Sequence, residues 1–103
     1  MYKLEYLPLA QNDMVGISKY ISHELKNPTA AISLAEKMVT AADQLTSFPY
    51  INQVYLPIRP LKNEYRKLLV DNFIMFYYVT EKSKLVTIAR VIYAKRDCEK
   101  ILR

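Results

Sequence analysis

The stretch EYRKLLVDNFIMFYYVTEKSKLVTIARVIYA, residues 64–94, decides the architecture. Two polar turns, Asp71-Asn72 and Glu81-Lys82-Ser83-Lys84, divide it into three runs: Glu64–Val70, Phe73–Thr80 and Leu85–Ala94. Aromatic and β-branched residues dominate the runs, and connections that short join antiparallel neighbours, so the stretch predicts a three-stranded meander. The last two runs are apolar on both phases of the alternation, which predicts central strands covered on both faces. Arg90 is the exception. It sits mid-strand between Ile88 and Ile92 on one phase, where a charge must either pair or face an open cleft.

Upstream, Tyr2–Leu7 alternates and reads as a first strand, ended or edged by Pro8, which has no N–H to give a ladder. From Gln11 to Lys26 the period changes: Met14, Ile17, Ile21 and Leu25 recur at helical steps, with Asn12 or Asp13 placed to cap the first turn. Asn27-Pro28 then punctuates the chain. Proline disfavours helix at the residue before it and suits a first helical position, so Asn27 caps a second helix running from Pro28 to about Ser47. Its stripe is Ala31, Leu34 or Ala35, Met38, Ala42 and Leu45. Residues 51–63, with Pro57 and Pro60, read as a connection with a short extended piece at Val54–Leu56. The charged tail Lys95–Arg103 has Ile101 and Leu102 available to dock. The predicted order is β-α-α-β-β-β, an α+β fold in which an antiparallel sheet packs on an N-terminal helical hairpin.

The 103 residues fit one domain, 1–103, with no room for a second core and no internal repeat. Hydrophobic residues make up 51% of the chain and there is one glycine, which excludes a disordered tail and any glycine-rich phosphate loop. One cysteine cannot form an internal disulfide, and no apolar run approaches the roughly 20 residues of a membrane span, so a cytoplasmic protein without a membrane partner is expected. Charge is uneven. Residues 1–56 carry four basic and five acidic side chains, whereas residues 57–103 carry eleven basic and five acidic, a field that attracts phosphates or an acidic protein segment.

The inventory for covalent or metal chemistry is thin. His23, the one histidine, lies in a polar stretch without ligand-spaced partners, and reads as a solvated helix residue. Cys98 has Lys95, Arg96 and Lys100 nearby to favour a thiolate, yet no histidine to serve it, and reads as an incidental thiol. Neither a metal nor another cofactor is expected. The C-terminal half differs in kind: Arg59, Lys62, Arg66, Lys67, Arg90, Lys95 and Arg96 are interleaved with Tyr55, Tyr65, Tyr77, Tyr78 and Tyr93. Cations that hold phosphates and rings that stack on bases suit nucleic acid, although any one tyrosine is at home in a sheet. Tyr65-Arg66-Lys67 and Ala94-Lys95-Arg96-Asp97 fall at strand ends expected to be neighbours, which predicts a basic cleft.

Order and residues together resemble the RelE/ParE superfamily of toxins from bacterial type II toxin–antitoxin modules. The resemblance runs through Asp13 to Tyr20-Ile21, Asn27-Pro28-Thr29-Ala30-Ala31, Leu45 to Pro49, Arg59-Pro60-Leu61 and Tyr65-Arg66-Lys67-Leu68. It continues in Asn72-Phe73 with Phe76-Tyr77 and in Ile88 through Asp97. It implies a growth-inhibiting, plasmid-stabilising toxin, neutralised by a cognate antitoxin in a toxin–antitoxin hetero-oligomer. An acidic, partly disordered antitoxin segment is expected to cover the basic half, with an encounter rate that falls as salt is added.

The superfamily divides in mechanism. RelE-like members cleave mRNA on the ribosome; ParE-like members poison DNA gyrase. For a nuclease, Lys67 and Arg96 match the catalytic positions, and Arg59, Lys62, Arg66, Arg90, Tyr93 and Lys95 are the residues expected to bind nucleic acid or target. A lysine acting as base needs a depressed pKa, which crowding by Arg66 and Arg96 would provide. The arginine that RelE-like members place after the aromatic of the third strand is Ile74 here, and their tail tyrosine is absent. The glycines common before Asn72 and Lys95 are Asp71 and Ala94. The expectation leans to the gyrase poison, with the mRNA endonuclease and a non-toxic basic binding module as alternatives.

Overall fold

A computed structural model describes residues 1–57, 59–96 and 98–102, with Glu99 described by its backbone alone. Asp97, which closes the Ala94–Asp97 motif, and Arg103 of the tail lie outside the described residues. In order, the elements are β1 (Lys3–Tyr6), α1 (Pro8–Lys19), a π-helical turn (Tyr20–Glu24), α2 (Pro28–Gln44), β2 (Arg66–Val70), β3 (Phe73–Thr80), β4 (Leu85–Tyr93) and α3 (Cys98–Leu102).

The meander forms as predicted, with β2 antiparallel to β3 and β3 antiparallel to β4. The sheet as a whole is mixed, in the order β1-β4-β3-β2, because β1 lies parallel to β4 from Lys3↔Leu85 to Tyr6↔Ile88. The Lys3 N–H donates to the Lys84 carbonyl at 2.8 Å and the Leu7 N–H to the Ile88 carbonyl at 2.9 Å. β1 therefore covers only the first part of β4. Between Phe76↔Arg90 and Tyr77↔Ile88 the register slips by one residue, so Ala89 is the extra residue of a β-bulge. The bulge resets the alternation: Ile88 packs on the helix side of the sheet and Ile92 on the other, which corrects the reading that placed both on Arg90's phase.

Pro8 does more than end β1. It opens α1, three residues earlier than expected, because its missing N–H is one the first helical turn leaves unbonded anyway. Leu7 holds the N-cap position with no side-chain bond, so neither Asn12 nor Asp13 caps the helix. At the other end the expected continuous helix to Lys26 gives way to the π-turn, in which the Leu25 N–H reaches back to the Tyr20 carbonyl at 3.1 Å. The wider turn rotates Leu25 off the apolar stripe, leaving it 56% exposed. α2 begins as predicted, the Ala30 N–H donating to the Asn27 carboxamide oxygen at 3.1 Å. It ends at Gln44 rather than near Ser47, the chain continuing in turns.

Both faces of β3 and β4 are covered. On the helix side Leu34, Met38, Ala42 and Leu45 pack with Leu68, Val70, Met75, Tyr77, Val86, Ile88 and Val91. On the other side Tyr65, Ile74, Phe76, Ala89 and Ile92 pack with Leu102 of α3, so the tail docks as its sequence indicated. Tyr77 is fully buried. Its hydroxyl donates to the Pro49 carbonyl at 2.9 Å and accepts from the Asn52 amide at 3.2 Å, and burial raises its pKa. The Tyr6 hydroxyl, in contrast, is buried without a partner among the described residues. At the surface Glu81 accepts from Lys84, Tyr50 and Tyr2, tying the β3–β4 turn to the connection after α2 and to the N-terminus. Those three donors, Lys84 foremost, hold the Glu81 carboxyl down at about 2, and the same bond pushes Tyr50 up to about 12. Asp71 stands in the left-handed region at φ 53, where the resemblance calls for glycine, and Lys37 of α2 pairs with it at 3.3 Å.

Candidate functional site

Because β1 stops at Tyr6, a groove of about 750 Å³ opens between α1, the π-turn and the far end of β4. Its wall is apolar: Ile17, Ile21 and Leu25 face Phe73, Val91 and Tyr93. Tyr93 and Phe73 meet edge-on at 5.8 Å, and exposed Tyr20 and Arg96 form part of the rim. Gly16 leaves the α1 side open, since a Cβ there would meet no atom within 4 Å.

At the floor lies an ion pair. Arg90 donates from Nε to Asp13 Oδ2 at 2.7 Å and from Nη2 to Oδ1 at 2.9 Å, a two-point match of guanidinium to carboxylate. The Val91 N–H donates to the same Asp13 Oδ2 at 2.9 Å. Beyond Ile88 no strand among the described residues covers this edge of β4, so the carboxylate supplies an acceptor that a neighbouring strand would otherwise give. The pair answers the question raised by a charge in mid-strand: Arg90 is paired with Asp13, whose hydrogen bond raises the guanidinium pKa against the opposing effect of burial.

The other predicted site residues do not converge. β2 and β4 run in the same sense on either side of β3, so Arg66 and Lys67 lie level with Tyr77 and Phe76 in mid-sheet, whereas Ala94-Lys95-Arg96 follows Tyr93, level with Phe73 at the end of β3. The register offsets these segments along the sheet by a few residues, and they share none of the grooves lined by the described residues. Arg66 is held by the Asn52 carbonyl at 2.8 Å and lies 5.0 Å over the Tyr50 ring. Lys67 follows it on the strand and therefore points to the other face, beside Phe76, so Arg66 does not crowd it. Ile74 is buried in the second cluster at 8% exposure. Arg59 and Lys62 are exposed in the connection before β2, and Lys95 is exposed after β4. Of the predicted set, only Arg90, Tyr93 and Arg96 line the groove.

Sequence reasoning missed Asp13, Gly16, Tyr20, Leu25 and Phe73 as groove residues. Gly16 carried the usable signal, a lone glycine in a helical stripe where alanine would have favoured the helix. His23 is exposed in the π-turn and Cys98 donates weakly to the Arg96 carbonyl at 3.4 Å. Among the described residues no group of three His, Cys, Asp or Glu side chains is placed to hold a metal ion, and no helix is long and apolar enough to cross a membrane.

Residues 4–98 match the model of the ParE toxin of the type II toxin–antitoxin system parDE. No curated protein matches the chain in sequence. Among solved structures it is similar to the chromosomal ParDE toxin–antitoxin system of P. aeruginosa, at 19% identity and TM-score 0.65 over 92% of this chain and 98% of that one. It is similar also to the archaeal RelE–RelB complex of Pyrococcus horikoshii, at 12% identity and TM-score 0.61 over 92% and 97%. The intact E. coli RelBE complex follows at 20% identity and TM-score 0.54 over 93% and 100%. These likenesses show the α+β fold of that superfamily, and the family match extends over nearly the whole chain. The chain belongs to the ParE toxin family of type II toxin–antitoxin systems, within the RelE/ParE superfamily.

Proposed function

We propose that this toxin, a single domain spanning residues 1–103, acts in the cytoplasm by poisoning DNA gyrase and is neutralised by a cognate antitoxin. The observation that carries the choice of target is the dispersal of the nuclease set. A metal-free ribonuclease must activate a 2′-hydroxyl, stabilise charge on phosphorus and protonate the leaving oxygen within one small volume. Lys67 lies in mid-sheet, level with Phe76 and Arg90, whereas Arg96 follows β4 past the level of Phe73, and the position where RelE-like members carry an arginine is buried Ile74. An antitoxin partner is supported by the neighbours themselves, since the archaeal and E. coli structures are complexes of RelE with RelB. The basic C-terminal half supplies the complementary field.

The test is made in cells. Inducing the chain alone arrests growth, and co-inducing the open reading frame next to its gene restores it. Gyrase recovered from arrested cells is trapped on DNA while mRNA stays intact. Arrest accompanied by codon-positioned mRNA cuts would assign the chain to the ribosome instead.

A further inference from the structure

The open edge of β4 specifies how a partner chain can join it. Residues that face β3 alternate with residues that face away: Ile92 pairs with Ile74 and the Ala94 N–H donates to the Asn72 carbonyl, so Val91 and Tyr93 present their backbone groups to the groove. Two of these four groups are taken. The Val91 N–H donates to Asp13, and the Tyr93 carbonyl accepts from the Arg96 N–H at 3.0 Å. The other two, the Val91 carbonyl and the Tyr93 N–H, have no partner among the described residues.

Which two remain decides the direction of an added strand. An antiparallel strand would exchange both bonds with Val91 and would need the N–H that Asp13 holds. A parallel strand places one residue opposite Ile92, donates to the carbonyl of the residue before it and accepts from the N–H of the residue after it. Those are the two groups left. β1 already runs parallel to β4 along this same edge and ends at Tyr6.

We propose that the groove takes an extended segment of the antitoxin, added to β4 parallel and in line with β1. The proposal rests on the toxin reading above. The segment is apolar where it meets Ile17, Ile21 and Phe73, and carries an acidic residue facing Arg96 at the rim. Main-chain bonds of this kind give affinity while the side-chain pockets give specificity.

The test uses the protein together with the product of the open reading frame beside its gene. In the complex, the Tyr93 amide slows in hydrogen exchange to the rate of the interior β4 amides. Tyr93→Pro removes the donor without touching the β3 ladder, and Tyr93→Ala removes the ring but keeps the donor. Thermal unfolding of both variants confirms that they fold. The proline variant binds about tenfold more weakly than the alanine variant, the worth of a hydrogen bond and a blocked strand. Equal binding by the two variants, or a Tyr93 amide that exchanges as fast in the complex as alone, would overturn the proposal and leave the toxin reading intact. Absence of both growth arrest and complex would overturn the toxin reading and the proposal with it.

Discussion

Removing the Asp13 carboxylate tests the physical centre of the groove. Asp13→Ala leaves Arg90 without its two-point partner and leaves the N–H of Val91, a residue 2% exposed, without an acceptor. Breaking a fully buried pair costs about 3–5 kcal/mol, and an unsatisfied buried N–H about 1–3 kcal/mol. The two side chains are 24% and 17% exposed, so water recovers part of that loss. A net loss of ~2–3 kcal/mol follows, equivalent in a domain this small to a melting point lower by roughly 8–24 °C. Urea unfolding followed by circular dichroism reads it as a shifted midpoint at unchanged slope. Arg90→Met keeps the bulk and removes the charge, so Asp13 still caps Val91 and the loss is smaller. The double variant should lose less than the two single losses together, by at least about 1 kcal/mol, as expected of groups in contact. An Asp13→Ala variant within ~0.5 kcal/mol of the parent at the same slope would refute the reasoning, since changes of that size are typical of surface sites that hold nothing in place.

The hydroxyls of Tyr77 and Tyr6 should respond with opposite signs. Tyr77→Phe strands the Pro49 carbonyl and costs ~1–2 kcal/mol, whereas Tyr6→Phe removes a hydroxyl with no hydrogen-bond partner among the described residues and is neutral or stabilising by up to about 1 kcal/mol, both measurable by urea unfolding. Gly16→Ala, with open space at its Cβ, should stabilise α1 by ~0.5–1 kcal/mol, while Gly16→Phe folds but fills the groove and weakens antitoxin binding in a titration. Glu81 titrates near 2 in the fold against an ordinary value of 4.5, so its clasp is fully present above about pH 4.5 and is lost as pH falls through about 2. Melting temperature scanned over pH should therefore drop more gently on the acid side in Glu81→Gln than in the parent.

Local chemistry made much of the fold legible. Asn27-Pro28 carries its own capping geometry, and the doubly apolar runs Phe73–Thr80 and Leu85–Ala94 could only be covered strands. What escaped the sequence depends on residues far apart in the chain. The direction of β1 is set by its pairing with residues some 80 positions on, which no alternation pattern records. Asp13 has the composition of a helix cap, and only the approach of α1 to β4 makes it Arg90's partner. The bulge at Ala89 shifted the phase on which Arg90 had been placed, since strict alternation assumes no extra residue. The predicted meander already sets β2 and β4 in one sense, which offsets the start of β2, with Lys67, from the end of β4 that Arg96 follows. The groove was hidden because its apolar wall follows from where β1 stops and where the π-turn rotates Leu25 outward.

The most direct test of the gyrase reading adds the purified toxin, in parallel, to a gyrase supercoiling reaction and to a translating-ribosome cleavage reaction. The gyrase reading predicts inhibited supercoiling with gyrase trapped on DNA, intact mRNA, and no effect of Lys67→Ala on that inhibition. Codon-positioned mRNA cuts that disappear in Lys67→Ala or Arg96→Ala, with supercoiling untouched, would contradict it.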